Sequence, residues 1–156
     1  MDLRVGQGWD IHRLRAGGVL RLAGVEVSRE LSPEAHSDGD VVLHAVVDAL
    51  LGALGWGDIG EWFADADPRW KDAPSRAFVE AVRRRMAQEG WSVVNVDVTI
   101  LAERPRLKDF KEAMRRSLAE LTGGAASVKA GTNEGMDAVG RGEAIAAHAV
   151  ALVARE

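Results

Sequence analysis

At 156 residues, with 47% hydrophobic and 28% charged residues, the chain has the length and balance of one folded domain with a core of its own. It contains no cysteine, which excludes disulfides, thiolate metal sites and a cysteine nucleophile, so any metal must use His, Asp, Glu or backbone ligands. The net charge of -4, with basic residues dispersed except for Arg83-Arg84-Arg85, gives no support for a nucleic-acid surface, and without a signal-like amino terminus or a run of ~18 apolar residues the expected location is cytoplasmic.

Residues 3–13 and 19–27 alternate in polarity and are expected as two strands joined by a turn at Ala16-Gly17-Gly18. Within the first, Asp10 and His12 flank Ile11, and the strand period points both side chains to one side, about 6 to 7 Å apart at the backbone. A carboxylate and an imidazole then converge as ligands for a divalent ion, while Gly6 and Gly8 admit a backbone or ligand at close range. A second cluster follows in His36-Ser37-Asp38-Gly39-Asp40-Val41-Val42-Leu43-His44. Asp10, His12 and His44 could together supply the protein ligands of a catalytic zinc site. Two ordinary half-buried histidines, with Asp38 or Asp40 capping a helix, fit the same local pattern.

The spacing of apolar residues predicts a helix over 38–54, capped by Ser37 or Asp38 and stopped by Gly55, with His44 in its second turn. Asp48, four residues on, either orients the His44 ring or faces solvent. Residues 56–68 are too punctuated for a regular element and read as a functional loop. A helix is expected over 75–88, a strand over 91–101, a helix opened by Pro105 and running to Leu121, and a short strand over 127–131. Residues 142–155 suit either a helix, by their alanines, or a buried strand, by their Ile, Val and Leu. The fold class implied is α+β, a mixed sheet with helices packed on one face, leaving the other face to be covered by self-association.

The last third carries Lys129-Ala130-Gly131-Thr132-Asn133-Glu134-Gly135 and Gly140-Arg141-Gly142-Glu143. Small residues, a hydroxyl and backbone amides beside a carboxylate suit a diphosphate bridged by a metal ion, and equally suit a plain glycine turn.

Five segments, 6–13, 36–53, 57–68, 99–107 and 129–143, together resemble the 2-C-methyl-D-erythritol 2,4-cyclodiphosphate synthase family of the non-mevalonate isoprenoid pathway, in that family's order and spacing. The resemblance implies a single catalytic domain over 1–156 and a homotrimer whose sheets meet around a trimer axis, with active sites between neighbouring subunits. It implies a zinc-like ion on Asp10, His12 and His44, and a second ion, Mg or Mn, on Glu134. His36, Ser37 and Thr132 match positions around the reacting phosphates, with His36 and Thr132 stabilising the transition state. Asp58 and Gly60 match residues that hold the ribose, and Asp65 and Asp67 match a loop that contacts the methylerythritol portion. Ala102, Pro105, Arg106 and Leu107, with Ala130 and Gly131, match the cytosine pocket, and Asn133 falls among the substrate-binding positions.

The implied reaction is attack of the 2-phosphate of 4-diphosphocytidyl-2-C-methyl-D-erythritol 2-phosphate on its own β-phosphorus, releasing CMP. A phosphate dianion is already an ionised nucleophile, so the reaction requires neither a cysteine nor a serine triad. The sequence departs from the family where Gly131 stands for a frequent Thr, Arg106-Leu107 for Lys-Met, and Ala138-Val139 for a phenylalanine at the axial channel. Some members bind an isoprenoid diphosphate there through the arginine matching Arg141; an intersubunit salt bridge of Arg141 with Glu143 is the other reading. Two functions of different class are the alternatives: a metal-dependent phosphohydrolase, which would use the same ligands to activate water, and a non-catalytic isoprenoid-diphosphate-binding trimer, which would not need Asp10, His12 and His44 together.

Overall fold

The computed structural model describes residues 1–156. Its frame is a mixed five-stranded sheet in the order β4-β1-β7-β5-β6, built from β1 (Asp2–Ala16), β4 (Leu31–Pro33), β5 (Ser92–Leu101), β6 (Ala125–Gly131) and β7 (Ala144–Arg155). β7 runs antiparallel to both β1 and β5, and β5 and β6 run parallel. The ambiguous carboxyl-terminal segment is therefore a strand. It lies at the centre of the sheet, where Ile145 and Val153 face the core and Ala147, Ala149 and Ala151 fit beneath packed helices.

Residues 19–27 are not one strand. They split into β2 (Leu20–Leu22) and β3 (Val25–Ser28), a separate two-stranded ribbon, because Ala23 and Gly24 both adopt positive φ, 54° and 76°, and reverse the chain. β4 was absent from the sequence expectation; it is a three-residue edge strand, the position where its Pro33 costs no ladder hydrogen bond. Pro105 does not open a helix either. The Arg104–Pro105 peptide is cis and lies in a turn, and helix α4 (Lys111–Thr122) begins only after a 3-10 turn over Lys108–Phe110.

Helix α1 (Val41–Leu54) lies directly on the sheet, and twelve of its fourteen residues are buried, as its apolar composition all round requires. It starts three residues later than expected. Its cap is Asp40, whose carboxylate accepts the Leu43 N–H, so His44 stands in the first turn rather than the second. Asp40 also accepts the N–H groups of Ala23 and Gly24, pinning the β2–β3 ribbon to the helix, while complete burial pushes its carboxyl up to about 6. Helix α3 (Arg76–Gln88) and α4 cover the remainder of the same sheet face.

The close seam between α1 and β1 depends on Gly6 and Gly8. A Cβ on Gly8 would sit 1.9 Å from the Ala45 carbonyl oxygen, and one on Gly6 would sit 1.9 Å from that of Ala49. Both obstacles are helix backbone, which no rotamer change can clear. Gly8→Ala is expected to destabilise the fold by about 3 kcal/mol, lowering Tm on the order of 10 °C in a calorimetric scan.

The opposite sheet face has no helices. Leu3, Val5, Trp9 and Ile11 of β1 and Val150 of β7 line it, with exposures from 38% for Ile11 to 68% for Val5. Farther across, the face turns polar at Asp97, Ser127 and Lys129, where Lys129 Nζ donates to Asp97 at 2.6 Å. No helix of the protein is long and apolar enough to cross a membrane.

Candidate metal centre and second cavity

Asp10 and His12 project from β1 toward the helical face, opposite Ala147 and Ile145 of β7. The first turn of α1 brings His44 over them. Asp10 Oδ2 lies 3.0 Å from His12 Nε2 and 3.0 Å from His44 Nδ1, and the two imidazole nitrogens are 3.1 Å apart. Three ligand atoms thus form a nearly equilateral triangle. Zinc bonds to N and O ligands of about 2.0 to 2.2 Å imply tetrahedral edges of roughly 3.3 Å, so this donor set fits a divalent ion with one side left open. Burial raises the Asp10 carboxyl, but hydrogen bonds and charge from His12 and His44 outweigh it and hold the group at about 2. The three residues assembled from distant sequence could hold a metal ion together.

Asp48 does not orient His44. Its Oδ1 accepts the Ile59 N–H at 2.8 Å, tying α1 to the following loop, and burial raises its carboxyl pKa. The far edge of the His44 ring faces two serines instead: Nε2 lies 2.8 Å from Ser75 Oγ and 3.1 Å from Ser37 Oγ. Ser75 had no signal in the sequence, since it lies 31 residues from His44 and nothing in its neighbours marks it as polar support.

The loop after α1 contains a single helical turn, α2 (Ile59–Trp62), capped by Asp58, which accepts the Glu61 N–H. Trp62 stacks on Trp56 with ring centroids 5.9 Å apart and donates its indole N–H to the Trp56 carbonyl, which closes the loop on itself. A cavity of ≈ 370 Å³ opens beside the triangle. His12, His44, His36, Ser37, Gly60 and Asp65 line it on the polar side, and Phe63, Trp70 and Phe78 form its aromatic wall.

A second cavity, of ≈ 830 Å³, lies at the other edge of the sheet. Ala102, Pro105, Arg106 and Leu107 from the turn after β5 meet Ala130, Gly131 and Thr132 from the end of β6. Glu103 joins them, and its carboxylate accepts the Gly135 N–H at 3.1 Å, fixing the 132–135 turn. The two cavities share no residue, because β7 and β5 stand between β1 and β6.

The model of the YgbB family matches residues 3–154. The chain belongs to the YgbB family. Among its relatives, the 2-C-methyl-D-erythritol 2,4-cyclodiphosphate synthase of Halorhodospira halophila is 51% identical over 155 residues, covering 97% of this chain and 95% of that one. Solved structures agree. The Plasmodium falciparum IspF CDP complex matches with a TM-score of 0.86 at 29% identity over 99% of this chain and 97% of that one. The bifunctional IspDF of Campylobacter jejuni gives a TM-score of 0.94 at 35% identity over 99% of this chain, which spans 43% of that longer one.

The remaining expected residues of this YgbB-family chain lie apart from both cavities or at their rims. Glu134, at φ 52°, lies beside Thr132, whose Oγ1 accepts the Glu134 N–H at 3.3 Å, and with Asn133 lines a shallow surface hollow. Asn133 donates to Asp137 at 2.9 Å. Asp67 is engaged by Arg69 at 2.6 Å and caps the 3-10 turn over Pro68–Trp70. Arg141 pairs with Glu143 at 3.0 Å within the same chain.

Proposed function

We propose that this chain cyclises 4-diphosphocytidyl-2-C-methyl-D-erythritol 2-phosphate to the 2,4-cyclodiphosphate with release of CMP. The observation that carries the reading is the Asp10–His12–His44 triangle, with His36 and Ser37 on the adjoining cavity wall, in a chain of the YgbB family. In the reaction one P–O bond forms between the 2-phosphate and the β-phosphorus, and one breaks between that phosphorus and the bridging oxygen that leaves with CMP. No water is consumed.

Asp10, His12 and His44 would hold a zinc-like ion and Glu134 a magnesium or manganese ion; such ions supply positive charge that offsets charge developing on the phosphoryl oxygens. The protein's own part is to position the substrate and exclude water, which suits phosphoryl transfer, where alignment and electrostatics do most of the work. Ser37 and His36 would donate to the β-phosphate, Thr132 and Asn133 to the α-phosphate side, and Asp58 and Gly60 would fix the ribose. Asp65 and Asp67 would meet the methylerythritol hydroxyls. Ala102, Pro105, Arg106, Leu107, Ala130 and Gly131 form the base pocket in this reading.

A homotrimer belongs to the same proposal, with 1–156 as its single catalytic domain. Its support is physical: the metal triangle and the nucleotide cavity occupy opposite edges of one sheet, three strand spacings or about 14 Å apart. A second copy docked through the apolar face of Leu3, Val5, Trp9 and Ile11 would cover that face and bring the missing half-site of its neighbour into place. The proposal also includes a cytoplasmic location, which cell fractionation tests. Phosphorus NMR of purified protein with substrate, zinc and magnesium is expected to show CMP and a cyclic diphosphate. Inorganic phosphate or a linear diphosphate would identify a hydrolase instead.

A further inference from the structure

The back of the His44 ring carries a one-way chain of hydrogen bonds. With Nδ1 turned toward Asp10 and His12, a neutral His44 that offers a lone pair to a cation on that side must carry its proton on Nε2. Nε2 then donates to Ser75 Oγ at 2.8 Å, and the Ser75 hydroxyl donates onward to Asp38 Oδ1 at 2.5 Å. Ser75 is 0% exposed, so solvent offers it no alternative partner. Asp38 is itself held in place: Oδ2 accepts the Ser75 N–H at 3.0 Å, and Oδ1 also accepts the Asp40 N–H at 3.1 Å.

We infer that Ser75 and Asp38 are positioning residues of the metal centre, fixing the Nε2–H tautomer and ring plane of His44 and placing a carboxylate behind its metal-facing nitrogen. This rests on the reading of Asp10, His12 and His44 as metal ligands. Partners of this kind orient a ligating imidazole and increase its donor strength, and their loss typically weakens metal binding 10- to 100-fold. A purely structural role, clamping the 37–40 loop to the start of α3, is separable. Ser75→Ala keeps the backbone N–H of residue 75 on Asp38 and removes only the hydroxyl link.

Zinc affinity, measured by competition with a chromophoric chelator on protein whose folding is verified by circular dichroism, is expected to fall about 10-fold in Ser75→Ala. The lower end of the range applies because Ser37 Oγ, at 3.1 Å, remains as an acceptor. The double variant Ser37→Ala/Ser75→Ala is expected to lose about 100-fold. Unchanged affinity in the folded double variant would overturn the inference. Nitrogen-15 NMR of the zinc-loaded natural protein tests it without any variant: His44 should be protonated at Nε2 and ligated at Nδ1, and the reverse tautomer would refute it. Failure of the natural protein to take up zinc would remove the metal-centre reading itself, a distinguishable result.

Discussion

His44→Ala is expected to abolish metal uptake at the Asp10–His12 pair and reduce turnover by about 10³-fold, equivalent to about 4 kcal/mol of transition-state stabilisation. Two remaining ligands on one strand grip an ion weakly, because the triangle is closed only by the nitrogen that α1 contributes. The fold should persist. Truncating the buried ring costs about 2 kcal/mol, in part through lost contact with His12 and Phe78, whose ring centroids are 5.2 and 6.0 Å away. Zinc content by plasma mass spectrometry, together with a melting scan, checks both halves, and a natural metal content in the variant would refute the ligand assignment. Acid should imitate the mutation in the natural protein. Metal binding requires unprotonated ligands, so zinc affinity should fall as the pH is lowered, while Asp10, whose carboxyl lies at about 2, remains ionised at mildly acidic pH.

Mixing two inactive variants should restore activity. His12→Ala damages the metal triangle and leaves the second cavity intact, whereas Thr132→Ala does the reverse. If each site joins the triangle of one subunit to the second cavity of its neighbour, a trimer holding both variants regains some undamaged sites. Random reassembly of equal amounts restores about one quarter of them, since each contributing half has an even chance of being intact. The two proteins would be unfolded together, refolded and assayed against each refolded alone. No recovery from a mixture shown to co-assemble would mean that each chain carries a complete site.

Strand periodicity aligns Asp10 with His12 in the sequence and Gly55 marks the end of the helix that bears His44, but local pattern suits half-buried histidines as well, and only the family resemblance joined the three residues. Gly6 and Gly8 likewise announced a close backbone approach, which proved to be that of α1. What sequence pattern missed depends on distant partners. Asp38 resembles a helix cap until Ser75, 37 residues away, is seen to occupy its carboxylate, which leaves Asp40 to cap α1. Asp48 lies one helical turn beyond His44, yet its carboxylate follows the nearby unpaired N–H of Ile59. Residues 142–155 could not be assigned by periodicity because the outward positions Val150, Leu152 and Ala154 are as apolar as the inward Ala149, Ala151 and Val153, so burial alternates along the strand while polarity does not.

The glycine seam has a consequence for how the centre responds to change. Because α1 rests on β1 backbone to backbone, no flexible side chain lies between them to absorb an error in their spacing. The spacing of the three donors is therefore set by the stiffness of main-chain contact, and a substitution that wedges the two elements apart would change that spacing. Positions 6 and 8, which carry no candidate ligand, are thus the places from which the distance between Asp10–His12 and His44 is widened.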